Sequence, residues 1–327
     1  MADLVKRQHY VPRTYLKHFG FLNGEENYIN VLPNIENENE KIFETNIKNV
    51  ALEKNLYTLP GETIEQKMAI EKFYADELEQ HYDKIYEILI NPNRIEITSE
   101  ERNLIISTVV TMYYRTTKWV NLSRNLMSRV FTQMYELCEQ TGKDYFNYEG
   151  EKISIAGKSL EEFTKEFNDE RQPGMILIQL ETAFKLIALR SKFDAIVVSK
   201  LNNENCEYVT SDNPVIASNP NTERVIPFNH ENLLYLPLDS KHMLMLIPEV
   251  EKGNENKIFR KTYEDIRSKS SRITSNYQQM ANSERFVFGS KSSLELYLKT
   301  KSLTEKPLTE KEANNPDIIN EILSKLD

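Results

Sequence analysis

Cysteine is nearly absent from this 327-residue chain. Cys138 and Cys206 stand alone, with no CxxC pair and no His-rich cluster, which excludes a disulfide framework and a structural zinc site. Glycine is scarce as well, nine in all. None falls in a GxGxxG, GxxxxGK[ST] or GxSxG arrangement, so nucleotide-cradle and nucleophile-elbow folds lose their support. No run of about 18 apolar residues occurs, and the start, MADLVKRQHYVPR, has no apolar signal core. The expected location is the cytoplasm, with no membrane partner. Positive charge is in deficit, 41 Lys and Arg against 50 Asp and Glu, for a net charge of −9. That balance argues against a surface built for indiscriminate nucleic-acid binding, while leaving room for a local basic groove.

The chain is long enough to bury a sizeable core. Residues 1–60 read as irregular with short strands such as Tyr28–Leu32, and the Asn/Glu-rich tract Asn34–Glu44 as a solvated loop. From Ile64 to Ile90 a single apolar stripe at helical spacing (Ile70, Tyr74, Leu78, Tyr82, Ile85, Leu89) predicts one helix ended by Asn91-Pro92-Asn93. Thr98-x-x-Glu101 is a capping box. It opens a run through Ile105, Val109, Met112 and Trp119 that is expected to continue past Leu126 to Cys138. A polar stretch, 142–169, interrupts, and a further helix is expected from after Pro173-Gly174 to Lys192. The period then changes. Phe193–Ser199, Cys206–Ala217, Tyr235–Pro237, His242–Ile247 and Arg285–Phe288 read as strands, with a hydroxyl-rich helix over Thr262–Asn282. The expected class is α+β, a single domain over 1–300. Its helical middle (60–192) packs on a small, mostly antiparallel C-terminal sheet (193–290). The tail, 301–327, is expected to carry a short amphipathic helix over 316–326.

Four places carry candidate chemistry. His9 sits in His9-Tyr10-Val11-Pro12, an aromatic start with a rigid Pro that reads as docked rather than frayed. Its imidazole suits general acid–base work or metal ligation, or simply anchors the arm. Asp212 follows a strand-like segment in Thr210-Ser211-Asp212-Asn213-Pro214, the setting of a metal-binding or general-base carboxylate, and equally of a turn whose backbone N–H groups it accepts. Glu71 and Arg115 lie beside the apolar stripes of two helices. They read either as a clamp between those helices or as an acid, base or ligand facing an anion fork. Asn276 and Arg285, near the end of the chain, are placed to line the same cavity as Asp212.

Taken together these segments resemble a bacterial family of uncharacterised proteins, a domain of unknown function. Its marks are an N-terminal HxxPxxYLxxF, an acid and then Arg-Thr-Pro on a helical pair, a strand ending in T-S-D-x-P, a Pro-Leu step, and an Asn before a final small strand. Here they match His9 and Pro12 through Tyr15-Leu16 and Phe19, Glu71, Arg115-Thr116, Thr210 to Pro214, Pro237-Leu238 and Asn276. Thr117 stands where the pattern has Pro, so the helix is expected to run on past Arg115. The resemblance covers roughly residues 6–290 and implies a common site without assigning a reaction.

His, Arg and Asp drawn from distant stretches are the side-chain types expected for cutting a phosphodiester. Arg115 would hold the phosphate, His9 would move the proton, and Asp212 would orient His9 or bind Mg or Mn through oxygen. Glu71, Asn213 and Asn276 are the expected binding residues. The first expectation is therefore a nuclease or phosphodiesterase acting on RNA or DNA. The sporadic character of the resembled family suggests phage defence or a toxin effector as its setting. The alternative is a non-catalytic sensor or interaction module, in which the same residues tie the arm to the sheet and line a pocket for an anionic ligand or a partner protein from the same operon.

Overall fold

The structure, a computed structural model, describes residues 5–34, 41–148, 150–222, 225–226 and 228–304. The helix expected over 316–326 lies outside the described residues. The first part of the chain runs β1 (Arg7–His9), α1 (Arg13–Leu16), β2 (Phe21–Asn23), β3 (Glu26–Pro33), β4 (Phe43–Asn46) and β5 (Leu52–Lys54). Then come α2 (Ile64–Lys67), α3 (Ala69–Phe73), α4 (Tyr82–Ile90), α5 (Ser99–Tyr114), α6 (Thr117–Thr141), the hairpin β6 (Tyr145–Tyr148) and β7 (Glu151–Ser154), and α7 (Leu160–Phe193). The last part holds β8 (Ala195–Leu201), β9 (Thr210–Ser211), β10 (Ile216–Ser218), β11 (Leu233–Pro237), β12 (His242–Ile247), β13 (Ile258–Tyr263), α8 (Asp265–Asn282), β14 (Phe286–Gly289) and α9 (Lys291–Thr304). The class is α+β, with a central helical region.

The strands make two main sheets rather than one C-terminal sheet. One has the order β10-β11-β12-β8-β13, antiparallel except for the parallel pair of β13 and β8. Strict alternation divides its faces. Ile196, Val198, Leu234, Leu236, Leu244 and Leu246 join the main core with Ile105 and Val109 of α5. Val197, Leu201, Met243 and Met245 point the other way, into a cluster with Tyr208. The second sheet, β2-β3-β14-β9 with β4 also on β3, combines the two ends of the chain. The expected C-terminal strands Cys206–Ala217 and Arg285–Phe288 therefore belong in part with the N-terminal strand β3. Phe43–Asn46, at the edge of the expected solvated loop, is a strand as well.

Three helices depart from their expected bounds, each for a local reason. The stripe from 64 to 90 is kept, but the helix is not continuous. A π turn at Tyr74–Leu78 and a 3₁₀ turn at Glu79–His81 separate α3 from α4, and such a turn re-aims the side chains that follow it. The run from Thr98 stops at Tyr114 and restarts at Thr117, because Thr116 is extended (φ −76°, ψ 160°). Helix α7 begins well before Pro173, at the capping box of Ser159 and Glu162. Its first turns are held by Phe163 and Phe167, which pack on Phe131 and Tyr135 of α6 and on Phe146 of the hairpin. That apolar anchorage outweighs the hydrogen bond a Pro removes from a helix interior.

The N-terminal arm pins both sheets. Tyr15 is fully buried, and its hydroxyl donates to the Pro237 carbonyl of β11 (2.8 Å) while Thr210 Oγ1 of β9 lies 2.6 Å away. Tyr15→Phe leaves that carbonyl and that hydroxyl without a partner in the interior. The expected result is a loss of about 2 kcal/mol, read as a lowered urea midpoint with an unchanged m-value.

Candidate functional site

Residues from six separate stretches meet where the arm crosses the break between α5 and α6. At the break the Arg115 carbonyl accepts the Tyr57 hydroxyl instead of a helical N–H. The Arg115 guanidinium, 4% exposed, donates to the His9 carbonyl at 2.7 Å and to Glu79 Oε1 at 2.8 Å, and its Cζ lies 4.1 Å over the Tyr74 ring. The expected clamp with Glu71 is thus replaced by one with Glu79, which the π turn swings onto the guanidinium. Glu71 stays close but half-buried, and its Oε2 has no hydrogen-bond partner. Burial pushes its carboxyl up to about 7, with Arg115 opposing the rise and Glu79 adding to it.

His9 meets Arg115 through its backbone carbonyl, not its ring. Burial, reinforced by Arg13, Arg115 and Arg7, pushes the imidazole down to about 4, so the ring is neutral at physiological pH. Its Nε2 is buried without a partner.

On the other side of the arm lies Asp212, fully buried. Its Oδ1 and Oδ2 accept the backbone N–H groups of Glu284 (2.9 Å) and Arg285 (2.8 Å), and its own N–H donates to the Phe286 carbonyl (3.0 Å). The carboxylate therefore closes the turn from α8 into β14. Its own turn is closed by Ser211 Oγ, which accepts from the Asn213 N–H at 3.2 Å. Burial pushes the Asp212 carboxyl up to about 6 despite the two N–H bonds that hold it down.

The two sides are connected through Tyr10, whose hydroxyl accepts Arg285 Nη2 at 2.5 Å. Glu284 accepts Thr117 Oγ1 (2.6 Å) and Asn121 Nδ2 (3.1 Å) from the first turns of α6. Lys118 bonds Asn282, and Asn282 Nδ2 donates to the Asn213 carbonyl at 2.7 Å. The Asn213 side chain is buried with neither amide atom partnered, as is Thr116 Oγ1. Both line a cavity of about 10 Å³ beside Trp119, a volume that suits one water molecule.

Of the expected site residues, His9 and Arg115 are brought together, and Asp212 and Asn213 lie across the arm from them. No hydrogen bond or ion pair joins Asp212 to Arg115 or to the His9 ring among the described residues. Asn276 sits elsewhere on α8, where it accepts the Val209 N–H (2.9 Å) and donates to the Glu207 carbonyl (3.0 Å). Arg285 reaches Asp212 through its backbone N–H, while its guanidinium turns to Tyr10. Tyr10, Glu79, Thr117, Lys118, Asn282 and Glu284 were not singled out. Tyr10 and Glu284 could have been, being adjacent in sequence to His9 and Arg285, whereas Glu79 depends on a π turn that no stripe announces. Among the described residues no group of three or more His, Cys, Asp or Glu gathers as a metal set.

The chain matches, over residues 7–293, the family described as protein of unknown function (DUF4238), and it belongs to that family. No curated protein and no solved structure matches it.

Two measurements probe the junction. Asp212→Asn offers one acceptor where two N–H groups converge and turns an amide N–H against the other, so a loss of about 3 kcal/mol is expected in urea unfolding. Glu71 holds its proton to about pH 7 when folded, against 4.5 in its ordinary state. The folded state then binds more protons between those values, so this residue's contribution to stability falls as pH rises from 4.5 to 7 and stays low above it. Glu71→Gln removes that slope. The variant is expected to match the wild type near pH 4.5 and to exceed it by a growing margin up to pH 7; a constant difference in urea midpoint across that range contradicts the assignment.

Proposed function

We propose that this chain is a non-catalytic binding module of the sensor or interaction type, in which the junction residues weld the N-terminal arm to the helices and sheets. The observation that carries this is how the three candidate catalytic groups are engaged. The Arg115 guanidinium is committed to the His9 carbonyl and Glu79, both Asp212 oxygens hold backbone N–H groups, and the His9 ring is too weak a base at about 4 to be poised for proton transfer near neutrality. An anionic small molecule or a partner protein is the expected ligand. Cys138 and Cys206, both buried and neither in a disulfide, suit a reducing compartment such as the cytoplasm. No helix among the described residues is long and apolar enough to cross a membrane.

One observation favours the competing assignment, a nuclease or phosphodiesterase. Lys118, Glu284 and Arg285 surround Asp212, and Arg285 is exposed, a charge arrangement on which a phosphodiester could lie. The test is incubation of the full chain with single- and double-stranded RNA and DNA in Mg²⁺, Mn²⁺ or EDTA, beside His9→Gln and Lys118→Ala. No products above the blank are expected. Products that vanish in either variant, with its thermal unfolding unchanged, overturn the binding assignment.

A further inference from the structure

The outer face of the sheet β10-β11-β12-β8-β13 is less uniformly aliphatic than its inner face, since Ser199, Tyr235, Met243 and Met245 stand beside Val197 and Leu201. Helix α8 crosses it and leaves a cavity of about 300 Å³, the lower end of the range for small-molecule sites. The floor comes from Tyr235, Met243 and Met245, on the outward positions of their strands. The roof is one face of α8, where Arg267, Ser270, Ser271 and Thr274 recur at helical spacing. Ser271 Oγ is 2.8 Å from the Tyr208 hydroxyl, which fixes this part of the roof on the sheet. Among the described residues no carboxylate lines the cavity, and Arg267 is the one charged lining residue, in a chain of net charge −9.

Each part of this lining selects a chemical feature. A guanidinium at the rim presents a fork of N–H donors that matches phosphate oxygens. Clustered hydroxyls donate to the remaining phosphate oxygens or to a sugar, since each is donor and acceptor. Tyrosine rings and methionine thioethers form a flat, polarizable floor suited to a planar ring. We propose that this cavity binds a mononucleotide, its phosphate on Arg267 and the α8 hydroxyls and its base on the Tyr–Met floor. The inference rests on the binding-module assignment and names its ligand class.

Calorimetric titration of the full chain with AMP, GMP, CMP and UMP tests it, with ribose 5-phosphate, adenosine and inorganic phosphate as partial ligands. At least one nucleotide is expected to bind more tightly than any partial ligand. Arg267→Ala is expected to weaken it about tenfold, a loss of one charge-assisted contact. Thr274→Trp, which fills the cavity from its exposed rim, is expected to abolish binding with thermal unfolding unchanged. Absence of binding up to about 1 mM nucleotide, or binding that ignores both substitutions, overturns the site. Chromatography of the titrated nucleotide separates the two levels of inference. Recovery intact supports both, hydrolysis keeps the site but overturns the non-catalytic assignment, and failure to bind overturns the site alone.

Discussion

A single buried cation organises the centre of this protein. Removing a guanidinium from water costs several kcal/mol unless its donors and charge are met, and Arg115 is almost wholly buried. Three features meet that cost at once: Glu79 with its charge, the His9 carbonyl with its lone pair, and the Tyr74 ring with its negative face. Each comes from a different element, and each fixes that element in place. The π turn between α3 and α4 is the geometry that brings Glu79 round. The break between α5 and α6 is the geometry that lets Tyr57 take the Arg115 carbonyl. The same charge also helps to keep the His9 ring neutral and partly offsets the burial of Glu71.

Once the arm is anchored there, its next residues are committed in turn. Tyr10 meets Arg285 on the far side, and Tyr15 reaches β9 and β11, which belong to different sheets. The turn from α8 into β14 is closed by Asp212 from β9's end. Distant parts of the chain thus depend on contacts made by its first twenty residues, which is why an aromatic, proline-stiffened start is required here. Polar groups buried at such a junction specify one arrangement, because any other leaves donors or acceptors unmet.

The α+β class, the capping box of Thr98, the strand at His242–Ile247 and the docked arm were legible in the sequence, since each follows from local chemistry or periodicity. What was not legible required knowledge of a partner. The apolar stripe from Ile70 to Leu89 is the same whether the backbone is α-helical throughout or bulged at Tyr74–Leu78, so Glu79 could not be distinguished from Glu71 as the mate of Arg115. Thr117 has no Pro to signal a helix break, and the break depends on Tyr57, far away in the chain. Phe163 and Phe167 lie in a stretch that reads as polar, and only α6 explains why they start a helix before Pro173. For Asp212 the sequence located a carboxylate at a strand end and suggested that it accepts backbone N–H groups. It could not reveal that those groups belong to Glu284 and Arg285.

The two faces of the sheet through β8 invite a comparison that bears on function. A strand buried on both sides normally carries β-branched and aliphatic residues at every position. The inner face obeys this, with Ile196, Val198, Leu234, Leu236, Leu244 and Leu246. The outer face mixes Val197 and Leu201 with Ser199, Tyr235, Met243 and Met245, and the helix above it carries hydroxyls where a packing helix would carry leucines. The hydroxyl positions of this layer forgo the roughly 1.5–3 kcal/mol that burying a large apolar side chain contributes. A fold selected for stability alone has no cause to forgo it. Thioethers and phenols beneath a hydroxyl-lined helix are consistent with the proposal that this surface accommodates something other than its own chain.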